Sequence, residues 1–206
     1  SGTGYLPGGT SWYRKHFKLQ DEAHGKRILL MFEGIAGHST IYLNGCLMKH
    51  NFSSYNSFFI DISANVYFDR ENVIAVYVNT EEFEGWWYQG GGIYRDVSLL
   101  ITDPVAIDVY GVYAPAKKVG EKQWRVDFET TVLNDTYEDR SVSVVSGIYD
   151  ADGNEVAKAK SDGTVPLRDK ITLKYSADVC NPLLWDTENP NLYTVKTVLT
   201  EKGGMT

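Results

Sequence analysis

The stretch Trp124-Arg125-Val126-Asp127-Phe128-Glu129-Thr130-Thr131-Val132 decides the fold class of this chain. Trp124, Val126, Phe128, Thr130 and Val132 fall on one face, and Arg125, Asp127, Glu129 and Thr131 on the other. Successive side chains of a strand point to opposite faces, so this alternation describes an antiparallel strand with one buried and one wet side. A helix would need apolar residues three and four positions apart. No window of the chain holds a convincing stripe of that kind, and the reading is all-β.

Toward the C-terminus the pattern repeats between turn signals. Residues 142–150 read as a strand, Asp152-Gly153 as a turn, and residues 156–160 as a short strand. Ile171, Leu173 and Tyr175 alternate in the next strand, and residues 192–200 form the last. About six or seven short strands in roughly 100 residues describe an immunoglobulin-like β-sandwich, here without the paired cysteines of antibody domains.

Toward the N-terminus, Thr102-Asp103-Pro104 reads as a boundary, which gives domains of residues 1–103 and 104–206. The loop Pro7-Gly8-Gly9 precedes a strand at residues 12–19. Residues 27–33 carry Ile28, Leu30 and Phe32 on one face and Leu29 and Met31 on the other, the mark of a central strand. Ser39-Thr40-Ile41-Tyr42-Leu43 is closed by Asn44-Gly45, the strongest hairpin signal in the chain. Residues 58–62, 72–78 and 93–101 read as three further strands. Together they describe a jelly-roll β-sandwich.

Bulk properties exclude several functions. With 43% hydrophobic and 23% charged residues, the chain can bury a core and is not disordered overall. A formal net charge of -7 disfavours nucleic acid and anionic membranes as partners. No apolar run approaches the roughly 18 residues of a membrane span. Ser1-Gly2-Thr3-Gly4 lacks the basic and apolar regions of a signal peptide. Cys46 and Cys180 fall in different domains, so neither a disulfide framework nor a cysteine metal site is expected. His16, His24, His38 and His50 show no ligand spacing, and no metal or cofactor is expected. The sequons at Asn51 and Asn134 are short enough to arise by chance.

The candidate binding element is Glu84-Gly85-Trp86-Trp87-Tyr88-Gln89-Gly90-Gly91-Gly92. Its glycines permit φ > 0 and close backbone approach. Trp86, Trp87 and Tyr88 offer flat apolar faces with polar tips, which suits a sugar ring. The same three aromatics would equally plug a core beneath a tight turn.

Six segments in order resemble the non-catalytic domains of glycoside hydrolase family 2, the β-galactosidase group. Gly4-Tyr5-Leu6-Pro7-Gly8-Gly9 leading to Trp12-Tyr13-Arg14-Lys15-His16-Phe17 resembles the opening of its galactose-binding-like jelly roll. Ile41-Tyr42-Leu43-Asn44-Gly45, Ser57-Phe58-Phe59-Ile60-Asp61-Ile62 and Asn72-Val73-Ile74-Ala75-Val76 resemble the strands that follow. Gly92-Ile93-Tyr94-Arg95-Asp96-Val97 is the most diagnostic element. Pro182-Leu183-Leu184-Trp185 with Asn189-Pro190-Asn191-Leu192-Tyr193 resembles the end of the immunoglobulin-like domain.

The resemblance implies a parent enzyme that hydrolyses β-galactoside-like bonds with retention, using two glutamates on a (β/α)8 barrel absent from this chain. Gly153-Asn154-Glu155 superficially matches the acid/base motif, but it lies in a hairpin turn, and Glu155 is rejected as catalytic. No catalytic residue is assigned, and this portion is expected to be inactive alone. On this reading Trp86, Trp87 or Tyr88 stacks on the sugar, Glu84 or Gln89 accepts its hydroxyl protons, and Tyr5 is a weaker candidate from the other loop. Trp86 and Gln89 stand where related enzymes often carry arginine and proline, which leaves the glycoside open. Arg95 and Asp96 read as strand residues facing opposite sides, and Asp186 and Glu188 as loop acids. The resembling family has an opening strand and a closing strand not seen here. Each sandwich would then carry a bare edge, suited to a homo-oligomer. The competing readings are a stand-alone carbohydrate-binding module, a purely structural sandwich pair, and a β-glucuronidase or β-mannosidase parent.

Overall fold

The alternation becomes two antiparallel sandwiches in the computed structural model, which describes residues 8–81 and 90–202. They belong to two units, Ser1–Asp103 and Pro104–Thr206.

The first unit contains β1 (Thr10–Phe17), β2 (Arg27–Phe32), β3 (Ile35–Ala36), β4 (His38–Leu43), β5 (Cys46–Asn51), β6 (Phe58–Asp61), β7 (Asn72–Asn79), β8 (Gly92–Ile93) and β9 (Val97–Thr102). One sheet runs β1-β7-β4-β5, the other β6-β2-β9, and β3 pairs with β8 in a small ladder of its own. β2 is the central strand its two apolar faces predicted. Alternate residues of β4 and β7, namely Ile41, Leu43, Ile74, Val76 and Val78, meet Ile28, Leu30 and Phe32 of β2 in one buried cluster.

The β4–β5 hairpin turns through Asn44 at φ 52° and Gly45 at φ 83°, the left-handed pair that matches strand twist. Asn44 also fastens the hairpin to β7. Its Oδ1 accepts from Val73 N at 2.9 Å, and its Nδ2 donates to Asn72 Oδ1 at 2.9 Å. Asn72, fully buried, in turn clasps both backbone groups of Tyr67 at 2.7 Å. Buried amides are retained where every partner is satisfied, as here.

One strand expected from the sequence is divided. Residues 93–101 were read as continuous, but Ile93 pairs with Ile35 of β3 and Val97 with Phe32 of β2. Tyr94-Arg95-Asp96 is the step between the two ladders. The Tyr94 ring lies under Gly34, where a Cβ would sit 2.8 Å from it, and Tyr94 Oη donates to the Ser54 carbonyl at 2.8 Å. Arg95 and Asp96 therefore do not alternate across a strand. Both are exposed in the step, where the Asp96 carbonyl accepts from Glu33 N at 3.1 Å.

The second unit contains β10 (Val105–Tyr113), β11 (Ala116–Lys118), β12 (Gln123–Asn134), β13 (Arg140–Tyr149), β14 (Glu155–Val165), β15 (Asp169–Cys180) and β16 (Thr194–Glu201). β12 pairs with β10 and β11 along one edge and β15 along the other, while β14-β13-β16 forms the second sheet. β14 and β15 are 11 and 12 residues long, not the short strands expected. Their inward positions include small residues such as Gly163, where a Cβ would stand 2.7 Å from Leu173. Small inward residues weaken the apolar signal without weakening the ladder.

A chain of hydroxyls crosses this second core. Tyr175 of β15 stacks on Phe128 of β12 with ring centroids 5.1 Å apart. Its hydroxyl lies 2.7 Å from Thr130 Oγ1 and 2.7 Å from Ser146 Oγ of the opposite sheet, and Ser146 lies 2.7 Å from Thr197 Oγ1. Thr130 and Ser146 are fully buried; Ser146 also reaches Thr197, whereas the Tyr175 hydroxyl is the side-chain partner of Thr130. Tyr175→Phe keeps the ring and takes that partner from the buried Thr130 hydroxyl, which costs about 1–3 kcal/mol in urea unfolding. An unchanged midpoint would show that the relay adds nothing.

Candidate functional site

Both loops that carry the sequence-predicted sugar contacts leave the described structure at one end of the first sandwich. β1 begins at Thr10 opposite Asn79, the last residue of β7. Just beyond this ladder, Thr80 N donates to the Gly9 carbonyl at 2.9 Å. The Thr80 hydroxyl donates to the same carbonyl at 3.0 Å and accepts from Gly9 N at 3.1 Å. Thr80 thus closes the ladder with backbone and side chain together. Asn79 Oδ1 accepts from Glu81 N at 2.8 Å, which directs the chain out of the strand.

Gly9, Thr10, Ser11, Val78, Thr80, Gly91 and Gly92 line a recess of about 300 Å³ at this end. Space requires glycine at Gly92 and at neighbouring Gly8, but not at Gly9, where a Cβ would meet nothing. A Cβ at Gly8 would overlap the Thr80 carbonyl, and one at Gly92, whose φ is 102°, would overlap the Tyr13 hydroxyl. The recess therefore exposes backbone and hydroxyl groups, the kind that fix the orientation of a polar ligand.

The predicted contact residues Tyr5, Glu84, Trp86, Trp87, Tyr88 and Gln89 lie outside the described residues. Of their flanking segments, Gly9, Thr80 and Gly91 meet at the recess.

A larger cleft of about 510 Å³ opens between β1 and β9, lined by Leu30, Phe32, Ile74, Val76, Ile93 and Leu99 among others. Those side chains belong to the sandwich core or pack on it, so the cleft is an open seam of the core, with Tyr13, Arg14, Lys15 and Ser98 also on its lining.

Five of the described carboxylates, Glu155, Asp150, Asp186, Asp162 and Asp178, are engaged in structural roles. Glu155 accepts from the Tyr149 hydroxyl at 3.0 Å and pairs with Lys158 at 3.3 Å. Asp150 holds the turn before it. Hydrogen bonds from the backbone and side chain of Asn154 keep its carboxyl below the usual range. Asp186 is lowered in the same way by Asn189 within its loop. Asp162 is lowered by Lys202 and Ser143, and Asp178 by the guanidinium of Arg125 and the amide of Gln123. An acid catalyst in glycoside hydrolysis needs its pKa raised, and each of these shifts runs the opposite way. Among the described residues no group of His, Cys, Asp and Glu is placed to hold a metal ion. The sequon at Asn134 is spent internally: its side chain is 1% exposed and donates to the carbonyls of Glu138, Val165 and Pro166.

Asp178 receives two bonds from Arg125, at 2.7 and 3.0 Å. Its folded pKa lies below the unfolded one, so the unfolded chain binds the extra proton. The contribution is complete above the ordinary aspartate range and is lost as pH falls through the lowered value. Asp178→Asn should therefore reduce stability near neutrality and flatten the acid limb of a Tm–pH profile. An acid limb unchanged in the variant would refute that role.

Comparison with known proteins covers the whole of this architecture. The family model described as Glycosyl hydrolases family 2, sugar binding domain matches residues 6–104, and the model described as Glycosyl hydrolases family 2 matches residues 105–206. A β-galactosidase of Bacteroides ovatus is 36% identical over 198 residues, which cover 96% of this chain and 23% of that protein. A β-glucuronidase of Formosa agariphila is 31% identical over 214 residues, which cover 94% of this chain and 22% of that protein. Among solved structures, a β-glucuronidase from glycoside hydrolase family 2 superposes with a TM-score of 0.89 at 31% identity, covering 94% of this chain and 22% of that one. A family 2 member from Bacteroides cellulosilyticus gives 0.88 at 31% identity, covering 93% and 26%. The chain thus spans about a quarter of the length of the relatives it matches.

Proposed function

The chain belongs to glycosyl hydrolase family 2, and from that premise we propose that it is the non-catalytic part of a retaining O-glycosyl hydrolase acting on a β-galactoside-like substrate. The first unit lends one wall of the sugar pocket, and the second acts as a spacer between that wall and the catalytic part. The observation that carries this reading is the recess at Thr80, from which the stems of both candidate loops depart. Trp86, Trp87 and Tyr88 stack on the sugar, Glu84 and Gln89 bond its hydroxyls, and Tyr5 contributes from the neighbouring loop. Hydrolysis itself belongs to two glutamates on a (β/α)8 barrel that packs against these sandwiches. The downward shifts of the resolved aspartates support placing the acid chemistry elsewhere.

A β-glucuronidase parent is the second reading, favoured by the relative from Formosa agariphila. A uronic acid would need a cation in the pocket. Trp86 where relatives often carry arginine weighs toward the neutral sugar. Self-association is the remaining part of the proposal. Among the described residues, β1 and β9 each end a sheet beside the apolar seam, which suits strand pairing with a second copy. A monomer at micromolar concentration in sedimentation would exclude that pairing.

Half a pocket binds poorly. Titrating galactose or lactose into the 206-residue chain should give no saturable tryptophan response tighter than millimolar. Micromolar affinity would identify a stand-alone binding module instead. In a chain that includes the catalytic barrel, Trp87→Ala should lower kcat/KM for an aryl β-galactoside about tenfold at unchanged Tm, the loss of one stacked ring. Wild-type kinetics in Trp86→Ala and Trp87→Ala alike would leave the loop without a role in the pocket.

A further inference from the structure

The outer face of the β1-β7-β4-β5 sheet carries an aromatic cluster that the core does not use. Ile41, Ile74, Val76 and Val78 point inward. Their neighbours Trp12, Tyr42 and Tyr77 therefore point outward, given the strand alternation and the register. Trp12 stands opposite Tyr77, with ring centroids 5.2 Å apart. Its second neighbour, Tyr42, is on the far side of β7, yet the centroids are only 5.9 Å apart. Two strand spacings amount to about 10 Å, so the rings lean toward each other across β7. The residue between them is Ala75, the cross-strand partner of Tyr42 and small enough to pass beneath.

The indole is thus braced by two tyrosines and still 62% exposed. A ring held in place before binding loses little conformational freedom when a ligand covers it. A hydrogen-bonding pair lies across the sheet from it: Thr40, the cross-strand partner of Tyr77, has its hydroxyl 2.9 Å from His50 Nδ1. The outward positions of β1, β7 and β4 hold no carboxylate, and Arg14, two residues from Trp12 on the same face, adds a guanidinium donor beside the indole. Thr10, two residues from Trp12 on the same face, lines the recess at Thr80. Two residues of strand advance about 6.6 Å, roughly the length of a single pyranose unit.

We propose that Trp12, braced by Tyr42 and Tyr77, is a second carbohydrate platform. Its ligand is a β-linked oligosaccharide, one of whose pyranose rings lies on the indole while the chain continues toward the recess. The direction of the chain rests on the pocket reading above; the binding itself does not. The proposal makes the glycoside a multi-unit one and gives Trp12 a role in selecting its length.

The test is a titration of the 206-residue chain with β-1,4-linked galacto-oligosaccharides of increasing length, followed at the Trp12 indole Nε1–H resonance. The resonance should shift in a saturable way with the tetrasaccharide and not with galactose. Trp12→Ala should weaken binding about tenfold, the worth of one aromatic stack, while Trp12→Tyr retains most of it and Trp185→Ala, at an exposed indole of the second unit, leaves it unchanged. A Trp12 resonance indifferent to every oligosaccharide would overturn the platform, as would equal affinity in Trp12→Ala. Loss of binding in Trp86→Ala/Trp87→Ala alone would also overturn it while upholding the loop. Concentration-dependent self-association abolished by Trp12→Ala, without oligosaccharide binding, would reassign the face to protein contact.

Discussion

The arrangement at the loop-bearing end of the first sandwich depends on Thr80. Its backbone N–H and hydroxyl both engage Gly9, so the β1–β7 ladder ends in a closed clamp instead of two fraying strands. The clamp is made of side chain as well as backbone, and it fixes where β1 starts and where β7 stops. The register of the aromatic row, the placement of the recess and the departure points of both loops follow from that closure. Gly8 and Gly91 are a consequence: a Cβ at either would run into Thr80, whereas Gly9 itself has room for one.

Much of the fold was legible because apolar alternation and turn chemistry agreed. β12 shows this best, since every second residue from Trp124 to Val132 faces its own core, and Asn44-Gly45 carried the whole β4–β5 turn in two letters. What escaped did so for identifiable reasons. Residues 93–101 contain good strand formers throughout, and nothing local announces that Ile93 and Val97 belong to different ladders; the cause is Tyr94 lodged beneath Gly34, a contact between distant segments. β10 was hidden by its own irregularity, a register shift between Ile107 and Val112 with Tyr110 at φ 54°. β14 was under-read because its inward residues are small.

The candidate site was legible as a composition and not as a geometry. Glycines around an aromatic run mark one end of the sandwich, and the Thr80 clamp gives a physical reason for some of them. Trp12, Tyr42 and Tyr77 could not be grouped from sequence, since they sit on three strands whose pairing brings them together. Their individual positions follow strand alternation; their neighbourhood follows register, which is a long-range property. The same holds for the hydroxyl relay of the second unit, where Thr130, Ser146, Tyr175 and Thr197 each look like ordinary strand residues.

The break at Tyr94-Arg95-Asp96 has a mechanical consequence. The ladder nearest the glycine stem, β3 with β8, consists of two residue pairs, whereas β9 is held to β2 by six. A displacement entering the chain at Gly90 is absorbed by the short ladder before any load reaches β9. The step between them therefore separates a stem held by few ladder pairs from the sheet that walls the core. An unbroken strand across residues 93–101 would have transmitted every such displacement into the core.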